Sequence, residues 1–415
     1  MNIKRILGLI IVTRLRLVLT GTLFTLLAGC TLGQDSSSTT AGPQTPDLTP
    51  IPINSGVVDQ TENPSPAEIS EPLPEEQLTF TAPLPEGTAA SAPDHSQLIP
   101  TDLERFGIAI ARLQPDAEAA HALGLPFGST VNWNVMLEPP QVPARFWQVI
   151  RVNEERIPVP DWDTIAEVLA AYPGSFWVVG NEPDVIWQDN VTPQRYAEIY
   201  HETYTFIKEH DPTALVVIGG VSQPTPLRLA YLDIVLDTYE STYGQPMPVD
   251  VWNIHAFILR EQEDSWGVGI PPGFPDKEGI LYEIEDHDDL EILAQNIRQF
   301  RKWMADRGYA DRPLAITEYG ILMPDDYGFP PEDVATFMES TFDLFSEMVG
   351  EEGYALDDHR LVQWWFWYSL YDDTLYPTGN LWDEETGRLT DLGQTWVRYL
   401  AAREINPQII EPADN

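Results

Sequence analysis

The sequence predicts an α/β chain: a (β/α)8 (TIM) barrel over residues 97–405, preceded by a disordered N-terminal linker. Three observations predict it. Short β-rich apolar runs alternate with amphipathic helical stretches over about 300 residues, the pattern of a parallel sheet whose strands are joined by helices. Runs such as Phe176-Trp177-Val178-Val179 are apolar on both faces, as strands covered by helices outside and lining a filled barrel inside must be. The rival, a doubly wound open sheet, is disfavoured because no G-x-G-x-x-G turn follows the first strand.

The elements follow in chain order. Residues 1–29 read as an export signal, with Lys4, Arg5, Arg14 and Arg16 ahead of a largely apolar stretch from Leu17 to Leu27. It ends in Leu27-Ala28-Gly29-Cys30, which resembles the lipobox of bacterial lipoproteins, whose cysteine becomes the lipidated first residue of the mature chain. The alternative is an uncleaved membrane anchor with a chance cysteine; both readings export the remainder, and the first makes it a cell-surface lipoprotein held to the membrane through Cys30. Residues 30–96 are rich in Ser, Thr and Pro, and from Thr31 to Gln97 there are ten acidic residues and no Lys or Arg. Proline stiffens such a segment and uniform charge extends it, which makes it a spacer.

Eight strands are expected at 105–110, 129–134, 145–152, 176–180, 214–221, 249–257, 314–318 and 361–369. Helices are expected near 117–123, 161–171, 193–209, 227–241, 288–307, 331–349 and 389–403; the gap after the second strand is too short for one. Residues 406–415 form a tail.

Composition removes whole classes of function. The 415 residues carry 65 Asp and Glu against 23 Lys and Arg, a formal charge of −42, so a nucleic-acid partner is excluded and a neutral rather than polyanionic glycan is favoured. One cysteine rules out a disulfide framework and a Cys-cluster metal site. There is no H-E-x-x-H, Asp/His cluster, Walker motif or dinucleotide fingerprint, so neither metal nor organic cofactor is expected. The 13 tryptophans call for an explanation, either as core or as sugar platforms.

In a barrel the chemistry sits at the C-terminal ends of the strands. The fourth strand runs into Gly180-Asn181-Glu182-Pro183 and the seventh into Thr317-Glu318-Tyr319-Gly320. Two carboxylates at one barrel mouth are the minimum equipment for glycoside hydrolysis. These motifs, over residues 97–404, resemble the clan A glycoside hydrolases, retaining (β/α)8 enzymes with an Asn-Glu-Pro acid/base motif at strand four and a nucleophile ending strand seven. The resemblance implies that Glu182 is the general acid/base, Glu318 the nucleophile and Asn181 a contact to the sugar 2-hydroxyl. Strict alternation cannot aim both Asn181 and Glu182 at the cleft, so the backbone past the strand must re-aim one.

Other substrate contacts are expected at His255, ending the sixth strand, and at Trp367, since clan members stack a sugar on a strand-eight Trp and alternation sets Trp365 and Trp367 on one face with Trp364 toward the helices. Trp133, at the end of the second strand, is a further platform candidate. Tyr319 is grouped with these although the sequence lets it face either way. Arg112 reads equally as a sugar donor or as a salt-bridge partner. The connection from Ile258 to His287 is long enough to wall a cleft and favours endo action on a polymer. The reading is therefore a retaining β-glycosidase of a neutral polysaccharide or oligosaccharide. A non-catalytic cell-surface polysaccharide-binding protein on the same scaffold is the alternative, which two placed glutamates argue against.

Overall fold

The computed structural model describes residues 98–405, apart from 113, 156–157 and 374–376 and the side chain of 325. The export signal, Cys30, the linker and the 406–415 tail lie outside the described residues. Among those described, no helix is long and apolar enough to cross a membrane.

The chain is a (β/α)8-type barrel. Its strands are β1 (Phe106–Ala109), β2 (Ser129–Val131), β3 (Arg145–Ile150), β4 (Phe176–Val179), β5 (Leu215–Ile218), β6 (Trp252–His255) and β7 (Leu314–Tyr319). After the short strand β8 (Val349–Tyr354), which stands outside the sheet, β9 (Trp364–Trp367) supplies the eighth stave. Neighbours pair in parallel in the order β5-β4-β3-β2-β1-β9-β7-β6. The ring closes between β5 and β6 through parallel bridges Val217↔Val251 and Val221↔Ile254, with the His255 N–H donating to Val221 O at 2.7 Å.

The helices are α1 (Ala117–Ala122), α2 (Trp162–Ala171), α3 (Pro193–His210), α4 (Pro226–Tyr243), α5 (Leu290–Asp306), α6 (Pro331–Glu347) and α7 (Asp391–Ala402). Their starts follow from the sequence: Asp116, Asp161, Asp289 and Thr390 accept first-turn N–H groups, and α3, α4 and α6 begin on a proline whose missing N–H is not needed there. All eight expected strands and seven expected helices are present, and the gap after β2 holds no helix. Strand β8 and the small hairpin β10–β11 (Trp382–Asp383, Arg388–Leu389) escape a reading by hydrophobic pattern, because Val-Gly-Glu-Glu-Gly-Tyr and two-residue strands carry none.

Alternation around the ring sorts the aromatics. Trp147 of β3 and Phe176 of β4 stack at 4.3 Å, and Trp364 and Phe366 of β9 pack edge-on against Trp147 at 5.5 and 5.1 Å; this quartet fills the barrel interior. Gly107 of β1 gives it room, since a Cβ there would lie 2.4 Å from the Phe366 ring. Trp365 faces the other way, against Phe106 and Phe345 of α6. Seven tryptophans (147, 177, 252, 364, 365, 367 and 396) are among the largest fully buried side chains, so the tryptophan richness is mainly core.

Candidate active site

The sequence places a carboxylate after β4 and another near the end of β7, and the backbone turns both inward by different devices. Past β4, Gly180 and Glu182 adopt φ of 87° and 44°. The second lies in the left-handed region that non-glycine residues enter at a cost of about 1 kcal/mol or more, and the surroundings hold it there. The Glu182 N–H donates to Gly220 O at 3.1 Å, and Asp189 Oδ2 accepts from the Asn181 N–H at 2.6 Å. Adjacent Asn181 and Glu182 are both buried at this end of the barrel, and Asn181 Nδ2 has no hydrogen-bond partner.

In β7 the device is a register shift. Ala315 pairs with Asn253 and with inward-facing Trp364, so strict alternation would turn Thr317 in and Glu318 out. An irregularity opposite Ile254/His255 pairs His255 with Glu318 instead. Thr317 still faces in, its hydroxyl donating to Asn253 Oδ1 at 2.9 Å, and Glu318 joins it.

Three side chains then meet. Both glutamates are only 4% exposed, and fully buried His255 stands between them, Nδ1 at 2.8 Å from Glu182 Oε1 and Nε2 at 3.5 Å from Glu318 Oε1. One oxygen of each carboxylate and one imidazole nitrogen lie within 4.8 Å of one another. Gly220 makes this possible, because a Cβ there would sit 2.7 Å from His255 Cδ2. On its other side Glu318 Oε1 accepts the Trp133 indole N–H at 2.6 Å.

Electrostatics follow from burial and proximity. Burial pushes Glu318 up, and Glu182 adds to that; the facing imidazole and the Trp133 N–H pull the other way, leaving it at about 7. Burial alone would lower His255, but the Glu318 and Glu182 carboxylates outweigh it and hold the imidazole above its ordinary value. The cluster can therefore keep a proton between buried acids near neutrality. The 2.8 Å contact gives that proton a path between the imidazole and the Glu182 carboxylate. Glu182, His255 and Glu318 are also the donor set that could hold a metal ion among the described residues.

Two expected contacts need correction. Trp367 is fully buried on the helix side: its ring packs against Tyr319 at 5.4 Å and Phe337 of α6 at 6.4 Å, and its N–H donates to Gly379 O. The assumed phase of the strand is inverted, with 364 and 366 inward and 365 and 367 outward. Tyr319 also faces α6, its ring 5.0 Å from Phe345, because alternation after inward Glu318 sends it out. The inward residue next along β9 is Tyr368, which the sequence reading missed. Its ring lies 5.8 Å from Trp133 and its hydroxyl donates to Asp372 at 2.7 Å. Period-two counting from Phe366 finds it once the phase is known. Trp133 is at the site, with φ of 56°, buried and engaged through its N–H. Arg112 pairs with Asp372 at 2.8 Å and with Asp373.

No protein-family model matches the chain, and no curated protein does. Among solved structures it is similar to a GH128 (subgroup II) endo-β-1,3-glucanase from Pseudomonas viridiflava, with 18% identity over 71% of this chain and 96% of that one and a TM-score of 0.48. A second GH128 (subgroup II) endo-β-1,3-glucanase, from Sorangium cellulosum, gives 15% identity over 71% and 97%, with a TM-score of 0.48. A GH128 (subgroup VII) oligosaccharide-binding protein from Cryptococcus neoformans gives 15% over 72% and 94%, with a TM-score of 0.45.

Proposed function

We propose that the chain is a retaining glycoside hydrolase of the clan A type that cleaves β-glycosidic bonds of a neutral polysaccharide or oligosaccharide, with Glu318 as nucleophile and Glu182 as acid/base. The observation that carries this reading is the pair of buried carboxylates, one oxygen of each within 4.8 Å of the other, which suits the roughly 5 Å spacing that double displacement uses.

In the first step a Glu318 oxygen attacks the anomeric carbon while the bond to the leaving oxygen breaks. That oxygen takes the electron pair and the proton of Glu182. In the second step water attacks the glycosyl-enzyme, gives its proton to Glu182, and the ester bond to Glu318 breaks. The Trp133 N–H offers charge stabilisation to the Glu318 carboxylate, and the unpartnered Asn181 Nδ2 is available to a substrate hydroxyl. Strongly negative net charge supports a neutral glycan. The 258–287 connection supports endo action, and the lipobox-like Leu27-Ala28-Gly29-Cys30 supports export and a lipid tether.

The test is hydrolysis of a panel of β-1,3-glucan, mixed-linkage β-glucan, mannan, xylan and arabinogalactan, with the anomeric configuration of the first product read by NMR. Retention is expected. Glu318→Ala should be inactive and, with azide and an activated substrate, should form a glycosyl azide of inverted configuration. Wild-type-like activity in that variant removes Glu318 as nucleophile. Binding without cleavage across the whole panel makes the protein a polysaccharide-binding one.

A further inference from the structure

The Glu182 turn is gripped from behind by a buried charge network that the two-step reaction does not use. Asp184, two residues past Glu182, accepts the Ser222 hydroxyl at 2.9 Å and the Arg228 Nε–H at 3.1 Å. Arg228 lies in the first turn of α4, and neither side chain of this pair is exposed at all. The guanidinium spends its remaining donors on the long β6–α5 connection: Nη1 on Glu261 Oε1, and Nη2 on Val268 O at 3.2 Å and Gly269 O at 3.0 Å. Glu261, also fully buried, accepts the Thr225 hydroxyl and, at 2.8 Å, the Ile280 N–H. Gln223 adds a two-point clamp, accepting from the Leu259 N–H at 2.8 Å and donating to Leu259 O at 2.9 Å.

The geometry points to Arg228 as a positioning residue for the acid/base, through which the β6–α5 connection and the Glu182 turn are held as one unit; this rests on the assignment of Glu182 proposed above. The physical case is the absence of slack. Glu182 sits in a left-handed backbone conformation that strains a non-glycine residue, and Asp184 is the nearest side chain on its C-terminal side that is hydrogen-bonded to another segment. A planar five-donor fork with acceptors on both segments fixes their separation in a way that a lysine, with one point charge, cannot. Displacement of the connection at 261–269 therefore pulls on the group that holds Asp184, and a shift of about 1 Å at a proton donor is enough to cost about 10²-fold in rate.

The test separates proton donation from everything else. On the polysaccharide that the panel identifies, departure of a sugar alcohol needs the Glu182 proton. On the 2,4-dinitrophenyl glycoside of its repeating disaccharide, the leaving group departs without one. Arg228→Lys and Glu261→Gln, both checked for a native circular dichroism spectrum and a cooperative melt, should lose about 10²-fold in kcat/KM, which reports the steps up to the glycosyl-enzyme and not its hydrolysis, on the polysaccharide and less than about 5-fold in kcat/KM on the dinitrophenyl glycoside. Glu182→Ala should show the same split more strongly. If it does while the network variants lose activity equally on both substrates, or on neither, Arg228 is merely structural and the inference is overturned. If Glu182→Ala itself shows no split, or the wild type hydrolyses nothing, the assignment beneath it fails first. Should Arg228→Lys not fold, Glu261→Gln and Ser222→Ala, which retain the guanidinium, decide the matter by the same comparison.

Discussion

Placing a carboxylate where Glu318 lies destabilises the fold in a pH-dependent way, and the size of the effect follows from its surroundings. The gap between an ordinary 4.5 and about 7 is worth about 3 kcal/mol. The folded chain binds this proton more tightly than the unfolded one. Below pH 4.5 both states hold it and there is no penalty. As pH rises, the unfolded state ionises first, so stability falls until about pH 7 and the full penalty applies above that. Glu318→Gln cannot ionise and keeps an acceptor for the Trp133 N–H, while His255 keeps Glu182 as partner. Its advantage over wild type should grow by about 2–3 kcal/mol between pH 5 and pH 8. For a barrel of this size that is about 5 °C in melting temperature, measurable by calorimetry or urea unfolding at the two pH values. An advantage that is constant, or larger at pH 5, would refute the account of the site as a desolvated acid.

Three further outcomes follow from the same geometry. His287 accepts the Leu322 N–H at Nε2 (2.8 Å) and donates from Nδ1 to Ile258 O (2.9 Å), and burial lowers it to about 4. Its contribution is present above pH 6.5 and lost as pH falls through 4, so the stability gap between wild type and His287→Gln should shrink by about 3 kcal/mol over that range in urea titrations. Trp133→Phe removes a donor to a charged group worth about 1.5–3 kcal/mol, so the acidic limb of kcat/KM, set by ionisation of Glu318, should move one to two pH units upward; an unmoved limb would mean the contact does not tune the nucleophile. Trp367→Phe should lower the melting temperature and leave KM unchanged, whereas Tyr368→Ala should raise KM; the reverse pattern in steady-state kinetics would restore Trp367 as a sugar contact.

The staves of the barrel were legible because each is an apolar run bounded by turn residues, and the carboxylates because each follows such a run. The phase of β9 was not. Gln363-Trp364-Trp365-Phe366-Trp367-Tyr368 is aromatic on both faces, and alternation can assign faces only when one of them is polar. That is why the sequence alone points Trp367 inward and does not single out Tyr368. The buried network was invisible for another reason: Asp184, Arg228 and Glu261 are ordinary charged residues in sequence, and only the fold brings partners 44 and 33 positions apart within reach of one guanidinium.

The register shift between β6 and β7 shows how little separates a site from a surface. Counting by twos from Ala315, the residue that reaches the interior is Thr317, and a regular strand would leave Glu318 among the helices, where Tyr319 now packs against Phe345. Because the shift pairs His255 with Glu318, the imidazole and the carboxylate arrive at the same height in the barrel, and the imidazole can touch Glu182 from the far side. Glu182 is re-aimed independently, by left-handed backbone after β4. Two unrelated departures from regular geometry thus converge on one point. Neither improves the packing of the strand that carries it, which is the expectation when local irregularity is kept for chemistry rather than for stability.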